Sequence, residues 1–251
     1  MFNSEDRIFR NRDVLRQEFV PEDIVDRERA LRQFQTVLQP VVFGETPDNV
    51  LVYGHSGLGK TTVTRYVGDR LRETADGDVE NVYLACRGST SVDDVLSTLD
   101  ARLTDQFEDQ ELPADAADRI AAAIDRLDRP TVVVIDSVGL VSEPEALLDE
   151  LQAIQASGDR QTCFIAICDD LKYTDHVPEA YVDGMFQQQI RFPRYDAETL
   201  TAILEQRVED AFQEGVVRPE AMTRCVAYAV REGGSCRIAF TLLRQAGDRA
   251  R

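Results

Sequence analysis

Lysine is nearly absent from this chain: two residues, Lys60 and Lys172, stand against 26 arginines. Long apolar runs are absent too. No stretch approaches the ~18 apolar residues of a membrane-crossing helix, so neither a membrane span nor a membrane partner is expected. The N-terminus, Met1-Phe2-Asn3-Ser4-Glu5-Asp6, has neither the basic nor the apolar region of a secretory signal. The cysteines, at 86, 163, 168, 225 and 236, include no C-x-x-C pair. That pattern points to reduced thiols in a cytoplasmic protein and disfavours a zinc site. Repeats and low-complexity tracts are also missing, which excludes solenoid and linker architectures.

What is present is acid. The formal net charge is −18 over 251 residues, with an isoelectric point near 4.5. Two readings follow. An acidic face can serve a partner, or acids can replace lysines over the whole surface to keep the protein hydrated in salt, as in a halophile. The scarcity of lysine favours the second, so charge alone says little about partners. At 43% hydrophobic residues the chain has enough apolar material for a core, and its length suits one large domain or a domain with a smaller companion.

One of the two lysines stands in an informative place. Gly54-His55-Ser56-Gly57-Leu58-Gly59-Lys60-Thr61 fits G-x-x-x-x-G-K-[ST], a loop whose backbone N–H groups cradle phosphates. A slim ammonium on a flexible stem suits that tight loop, where a planar guanidinium does not. The flanks agree: Asn49–Tyr53 reads as a buried strand, and Thr61–Leu71 as a helix with Val63, Tyr66, Val67 and Leu71 on one face. Strand, glycine loop and helix direct N–H groups and a helix N-terminus at phosphates. The candidate nucleotide-binding residues are therefore Gly54, Gly57, Leu58, Gly59, Lys60, Thr61 and Thr62, with ATP or ADP as the ligand. The Thr61 hydroxyl is a candidate Mg²⁺ ligand.

Further apolar segments read as strands at Asn81–Ala85, Thr131–Ile135, Thr162–Ile167 and Gln189–Phe192. Helical patterns cover 26–39 and lie between the strands near 91–104, 114–127 and 144–156. This alternation predicts an α/β fold, a parallel sheet with helices on both faces. After Pro193 the strands stop, and 196–213, 218–231 and 235–249 are all helical. A boundary near 194 is expected, giving a nucleotide-binding domain over 1–194 and a small all-helical domain over 195–251. From Arg218 to Arg251 there are seven arginines and three acids, a local +4. These arginines can meet phosphate, the acidic body or a partner, or can simply complement helix C-termini.

Val132-Val133-Val134-Ile135-Asp136 is a second signature. An apolar strand ending in Asp places a carboxylate at the ligand-binding edge of a parallel sheet. About seventy residues after the phosphate loop, Asp136 is a candidate Mg²⁺ ligand of the Walker-B kind.

The order of segments resembles a family. Arg16-Gln17-Glu18-Phe19-Val20-Pro21-Glu22, Asp26-Arg27-Glu28, Asn49–Thr61, Phe192-Pro193-Arg194-Tyr195-Asp196-Ala197 and Gly234-Ser235-Cys236-Arg237 occur in sequence. This is similar to the archaeal origin-recognition/cell-division-control initiators, AAA+ ATPases of DNA replication, over residues 8–251. The resemblance implies a P-loop AAA+ base followed by a helical lid. It implies that Val20, Pro21 and Tyr195 flank the adenine, that Arg207 faces the nucleotide, and that Arg237 is the lid's second sensor, reaching the γ-phosphate. Other initiator or AAA+ subunits, and a replicative helicase, are the implied partners.

The sequence departs from the family pattern at three points that bear on hydrolysis. Where the family has a Glu after the Walker-B Asp stands Ser137, whose hydroxyl is no effective base near neutral pH. The first-sensor Asn aligns with Asp169. The arginine pair before the fifth strand aligns with Ala180 and Val182, and an arginine finger is worth ~10³–10⁵ in rate. Glu143 or Asp170 are substitute bases. Two departures concern DNA. The family continues into a winged helix, whereas this sequence stops at Arg251. The segment from Asp105 to Asp118 holds six acids and no base, which repels phosphate. The expectation is a nucleotide-binding regulatory relative of the initiators, with little or no hydrolysis and weak or indirect DNA contact. The alternative is an active ATPase initiator that binds origins and loads the helicase.

Overall fold

The computed structural model describes residues 8–86, 88, 90–107, 112–158, 162–169 and 177–251. Its ordered elements run α1 (Glu28–Val42), β1 (Val50–Tyr53), α2 (Lys60–Thr74), β2 (Glu80–Ala85), α3 (Val92–Thr104), α4 (Ala116–Leu127), β3 (Thr131–Asp136), α5 (Pro144–Ser157), β4 (Thr162–Cys168), α6 (Glu179–Met185), β5 (Gln188–Arg191), α7 (Ala197–Ala211), α8 (Pro219–Arg231) and α9 (Cys236–Ala250). They divide into two compact units.

One unit holds 29–53 and 67–191. Its five strands form a wholly parallel sheet in the order β2-β3-β4-β1-β5. β3 and β4 lie inside the sheet, and every residue of both is buried. Their runs of Val, Ile, Phe and Cys suit strands covered on both faces. β5 is an edge strand in which only Ile190 is buried. The packed helices start where local chemistry dictates. Ser91 and Asp94 form a reciprocal capping box on α3, the Asp115 carboxylate accepts from two N–H groups of α4, and Pro144 takes the first position of α5. Leu99, Ile120, Leu147 and Phe164 are completely buried among them, and truncating a core Leu to Ala costs ~2–5 kcal/mol.

Register fixes what shares the ligand edge of the sheet. Tyr53 pairs with Cys168, and Asp136 pairs with Ala85 on one side and Ile167 on the other. The chain leaves these aligned strand ends into Gly54, Ser137 and Asp169.

The other unit comprises the described residues of 1–28 together with 54–66 and 192–251. It contains the phosphate loop and the three helices α7, α8 and α9, which pack on one another. Asp196 caps α7 by accepting from the Thr199 N–H, and that bond holds its carboxyl below the usual range. Phe9 stacks on Phe212 at 4.9 Å, and the Arg12 and Asp248 side chains pair at 2.6 Å, tying the N-terminal segment to α7 and α9.

Most element bounds lie within one to three residues of the pattern-based ones, and two of the differences have a clear local cause. Asp26 has a left-handed backbone, φ 54°, so α1 begins at Glu28 and runs on to Val42. β5 sits one residue earlier than the apolar pattern of 189–192, because Phe192 is already outside the ladder. No described helix is long and apolar enough to cross a membrane.

Candidate functional site

The phosphate loop curls around its own lysine. Lys60 is only 3% exposed, and its Nζ donates to the carbonyls of Gly54 and His55 at 2.8 and 2.7 Å. The loop's curvature needs Gly57 and Gly59 in left-handed conformations, φ 79° and 84°. Neighbours demand glycine as well. A Cβ at Gly57 would collide with the Ser235 hydroxyl, and one at Gly59 would approach Tyr195 Oη to 2.8 Å. Leu58 is buried, while Thr61 and Thr62 lie half-buried in the first turn of α2. Val63 N–H donates to Gly59 O at 2.9 Å, so the helix grows directly out of the loop.

The start of α9 docks on this loop. Cys236 N–H donates to Gly57 O at 2.9 Å, and Arg237 Nη1 donates to Ser56 Oγ at 2.7 Å. Arg194 Nη2 lies 2.9 Å from His55 Nε2, and since a guanidinium can only donate, the ring nitrogen accepts. The structure thus brings Gly57, Arg237 and the Pro193–Tyr195 segment together around the loop.

Arg27 organises the same region, and the sequence marked it only as one letter of a resemblance. It is 4% exposed. Its guanidinium sits 3.7 Å from the Tyr195 ring centroid and 5.4 Å from that of Phe192. Nη2 donates to Leu58 O at 3.2 Å and Pro193 O at 3.1 Å, and Nη1 to Asp26 O at 2.8 Å. Tyr195 is 7% exposed, and burial pushes its hydroxyl pKa up. One face of Tyr195 is therefore already covered by a cation. Of the other residues placed at the base by resemblance, Pro21 is buried and Val20 half-buried.

Arg207 is 6% exposed and packs against aromatic rings, 4.5 Å from the centroid of Phe19 and 5.3 Å from that of Phe240. Its Nη1 is 3.5 Å from Val14 O. Burial lowers its pKa to about 10. Beside it, a cavity of about 440 Å³ opens between the Leu15–Glu18 segment and α9.

In the sheet-bearing unit, Asp136 ends β3 at 7% exposure, and the Tyr83 hydroxyl of β2 donates to its Oδ2. Ser137 Oγ lies 3.4 Å from Asp136 Oδ1, and its backbone is left-handed at φ 67°. Burial, and then the Asp136 charge, raise the neighbouring Cys86 thiol to about 11. Asp169 is exposed at the end of β4, and Glu143 is exposed before α5. Ala180 is exposed on α6, whereas Val182 is 1% exposed in the core. Asp170 and part of the acidic 105–118 segment lie outside the described residues. Sequence reasoning missed Tyr83; the signal for it is a Tyr two residues before the end of the strand paired with β3.

The donors present suit a nucleotide. A buried ammonium, glycines with open backbone and an emerging helix N-terminus match a polyphosphate. The Thr61 hydroxyl and, in the sheet-bearing unit, the Asp136 carboxylate are each a hard oxygen donor of the type Mg²⁺ takes.

Comparison with known proteins agrees. Residues 24–194 match the AAA ATPase domain, and residues 201–251 match the Cdc6 AAA+ ATPase-type lid domain. The chain is 31% identical over 266 residues to the ORC1-type DNA replication protein 11 of Haloarcula marismortui, covering all of this chain and 63% of that protein. The Aeropyrum pernix ORC1 protein, solved in complex with DNA, superposes with a TM-score of 0.87 at 31% identity, over 98% of this chain and 65% of that one. The Aeropyrum pernix ORC2 protein, solved as ADPNP-ADP complexes, shares the fold at a TM-score of 0.79 and 21% identity, over 97% of this chain and 68% of that one. The chain thus spans less than two thirds of the Haloarcula protein and of the ORC1 chain.

Proposed function

The chain belongs to the AAA+ ATPases, in their archaeal origin-recognition/cell-division-control branch, and we propose that it is a regulatory member that binds ATP or ADP with Mg²⁺ and hydrolyses ATP weakly or not at all. The observation that carries nucleotide binding is the buried Lys60 ammonium, held by the carbonyls of Gly54 and His55 inside a glycine loop. Gly54, Gly57, Leu58, Gly59, Lys60, Thr61 and Thr62 hold the phosphates. Thr61 and Asp136 supply oxygens to Mg²⁺. Val20, Pro21 and Tyr195 border the base, and Arg237 senses the phosphates from the lid. Arg207 acts from a packed position next to Phe240.

Weak hydrolysis is supported by what stands around Asp136. The next residue, Ser137, offers a hydroxyl rather than a carboxylate base, and elsewhere in the chain Ala180 and Val182 stand where the family's arginine pair would. A protein of this kind works through its nucleotide-dependent shape, on other initiator or AAA+ subunits, in the cytoplasm of a halophilic archaeal cell. The five free thiols fit that compartment. A second reading, an active initiator that binds origins and loads the replicative helicase, is favoured by the 31% identity to an ORC1 protein solved on DNA.

The test is calorimetric titration of ADP and ATP, with single-turnover hydrolysis in high salt. Tight binding that Lys60→Ala abolishes, with turnover far below that of active AAA+ enzymes, is expected. Unchanged affinity in Lys60→Ala removes the nucleotide reading. Brisk turnover in the wild type favours the active initiator.

A further inference from the structure

We propose that the cavity between the Leu15–Glu18 segment and α9 is a second anion site, separate from the phosphate loop, which takes a phosphate-bearing ligand on Arg16, Arg237 and Arg244. The cavity measures about 440 Å³, inside the ~300–1,000 Å³ range of small-molecule sites. Its walls carry three guanidiniums and one carboxylate, Glu18, a local charge of +2 in a chain of −18.

The α9 wall arises from helical spacing. Arg237, Phe240, Thr241 and Arg244 stand at i, i+3, i+4 and i+7, so one helix face presents two arginines and a hydroxyl to the same space. Arg16 faces them from the N-terminal segment. Like charges converge here although the rest of the surface offers abundant carboxylates, and convergence without an anion is unfavourable.

The state of each arginine sharpens the case. Arg16 is exposed and paired with Asp13 at 3.0 Å, and Arg237 reaches Ser56 Oγ. Arg244 is half-buried, and its side chain makes no hydrogen bond or ion pair among the described residues. Guanidiniums fork onto two oxygens at once, and a phosphate, with more oxygens and more charge than a carboxylate, suits several such forks. Apolar lining is limited to Leu15 and Phe240, so the recognised part of the ligand is charged. Arg237 also touches the phosphate loop at Ser56, so the cavity adjoins the loop site and shares that residue with it, while Arg16 and Arg244 belong to the cavity lining.

Pyrophosphate is the probe, titrated calorimetrically at constant ionic strength into Lys60→Ala, whose phosphate loop is silenced. Binding retained in Lys60→Ala, and weakened about tenfold or more by adding Arg244→Gln or Arg16→Gln, supports the second site. Loss of pyrophosphate binding in Lys60→Ala, or equal affinity with and without Arg244→Gln in a variant whose melting temperature is unchanged, overturns it. Wild-type ADP binding is measured alongside. If it persists while the pyrophosphate arm fails, the second site falls and the nucleotide reading stands.

Discussion

The guanidinium of Arg27 lies 3.7 Å from the ring centroid of Tyr195 while its Nη2 donates to the carbonyls of Leu58 and Pro193. One buried cation thus ties a residue of the phosphate loop, the segment entering the lid and an aromatic ring. Its Nε has no hydrogen-bond partner, so part of its desolvation goes uncompensated, and the cation–π contact and three carbonyl bonds must offset it.

Arg27→Met keeps the bulk and removes the charge. The Leu58 and Pro193 carbonyls then lose their donor, at ~1–3 kcal/mol for each group left unsatisfied. Stability in denaturant is expected to fall by about that amount, with weaker ADP binding because the loop loses its brace. Arg27→Lys is expected to rescue little, since an ammonium lacks the planar fork. A denaturation midpoint and ADP affinity equal to wild type would show that Arg27 is only a filler.

A second relationship concerns the carboxylate at the sheet edge. Tyr83 pairs with Val134, two residues before Asp136 on the neighbouring strand, so both side chains fall on one face and the hydroxyl reaches Oδ2. Such outer hydrogen bonds orient a metal's ligands, and losing one typically costs ~10–100-fold in metal affinity. Tyr83→Phe is expected to raise the Mg²⁺ concentration for half-maximal Mg²⁺-dependent nucleotide binding by about tenfold. Nucleotide affinity without Mg²⁺ is expected to stay the same. A lower Mg²⁺ requirement would mean that the hydroxyl competes with the metal and does not position its ligand.

Ser137 offers the direct test of weak hydrolysis. Ser137→Glu places a carboxylate next to Asp136, at the cost of a longer side chain on a left-handed backbone of φ 67°. Single-turnover hydrolysis is expected to rise over a low wild-type rate. If the wild type already turns over at a rate typical of active AAA+ enzymes, another acid serves as base and the regulatory reading loses its main support.

How much of this was legible beforehand follows from the kind of signal each feature leaves. β3 and β4 declare themselves because strands covered on both faces are unbroken Val, Ile, Phe and Cys. β5 has a single buried residue, Ile190, so its ends were ambiguous by one position. The phosphate loop is local, and spacing alone revealed it. Arg27 was invisible as a hub because an arginine's burial is decided by partners such as Pro193, 166 positions away. The Tyr83–Asp136 bond spans 53 positions and depends on strand register, which composition does not encode. The three-arginine cavity likewise joins residue 16 to a helix more than two hundred positions later.

DNA binding is the remaining question. The 251-residue chain carries −18, and a basic stretch closes the lid, with seven arginines against three acids from Arg218 onward. Two of those arginines have other engagements in the structure: Arg237 donates to Ser56, and Arg231 pairs with Glu232 at 3.6 Å and packs on Tyr228. Non-specific affinity grows with the number of phosphates neutralised and falls steeply with salt, by ~10³–10⁵ between 50 and 200 mM for 6–10 contacts. At the ionic strength suited to so acidic a protein, the remaining arginines supply little electrostatic affinity. Duplex binding by this chain alone is therefore expected to be feeble and indifferent to sequence, with a shallow dependence on salt. Fluorescence anisotropy on origin and random duplexes across a salt series measures it. Nanomolar, origin-selective binding that survives high salt would require base-specific contacts this charge pattern does not supply, and would favour the initiator reading over the regulatory one.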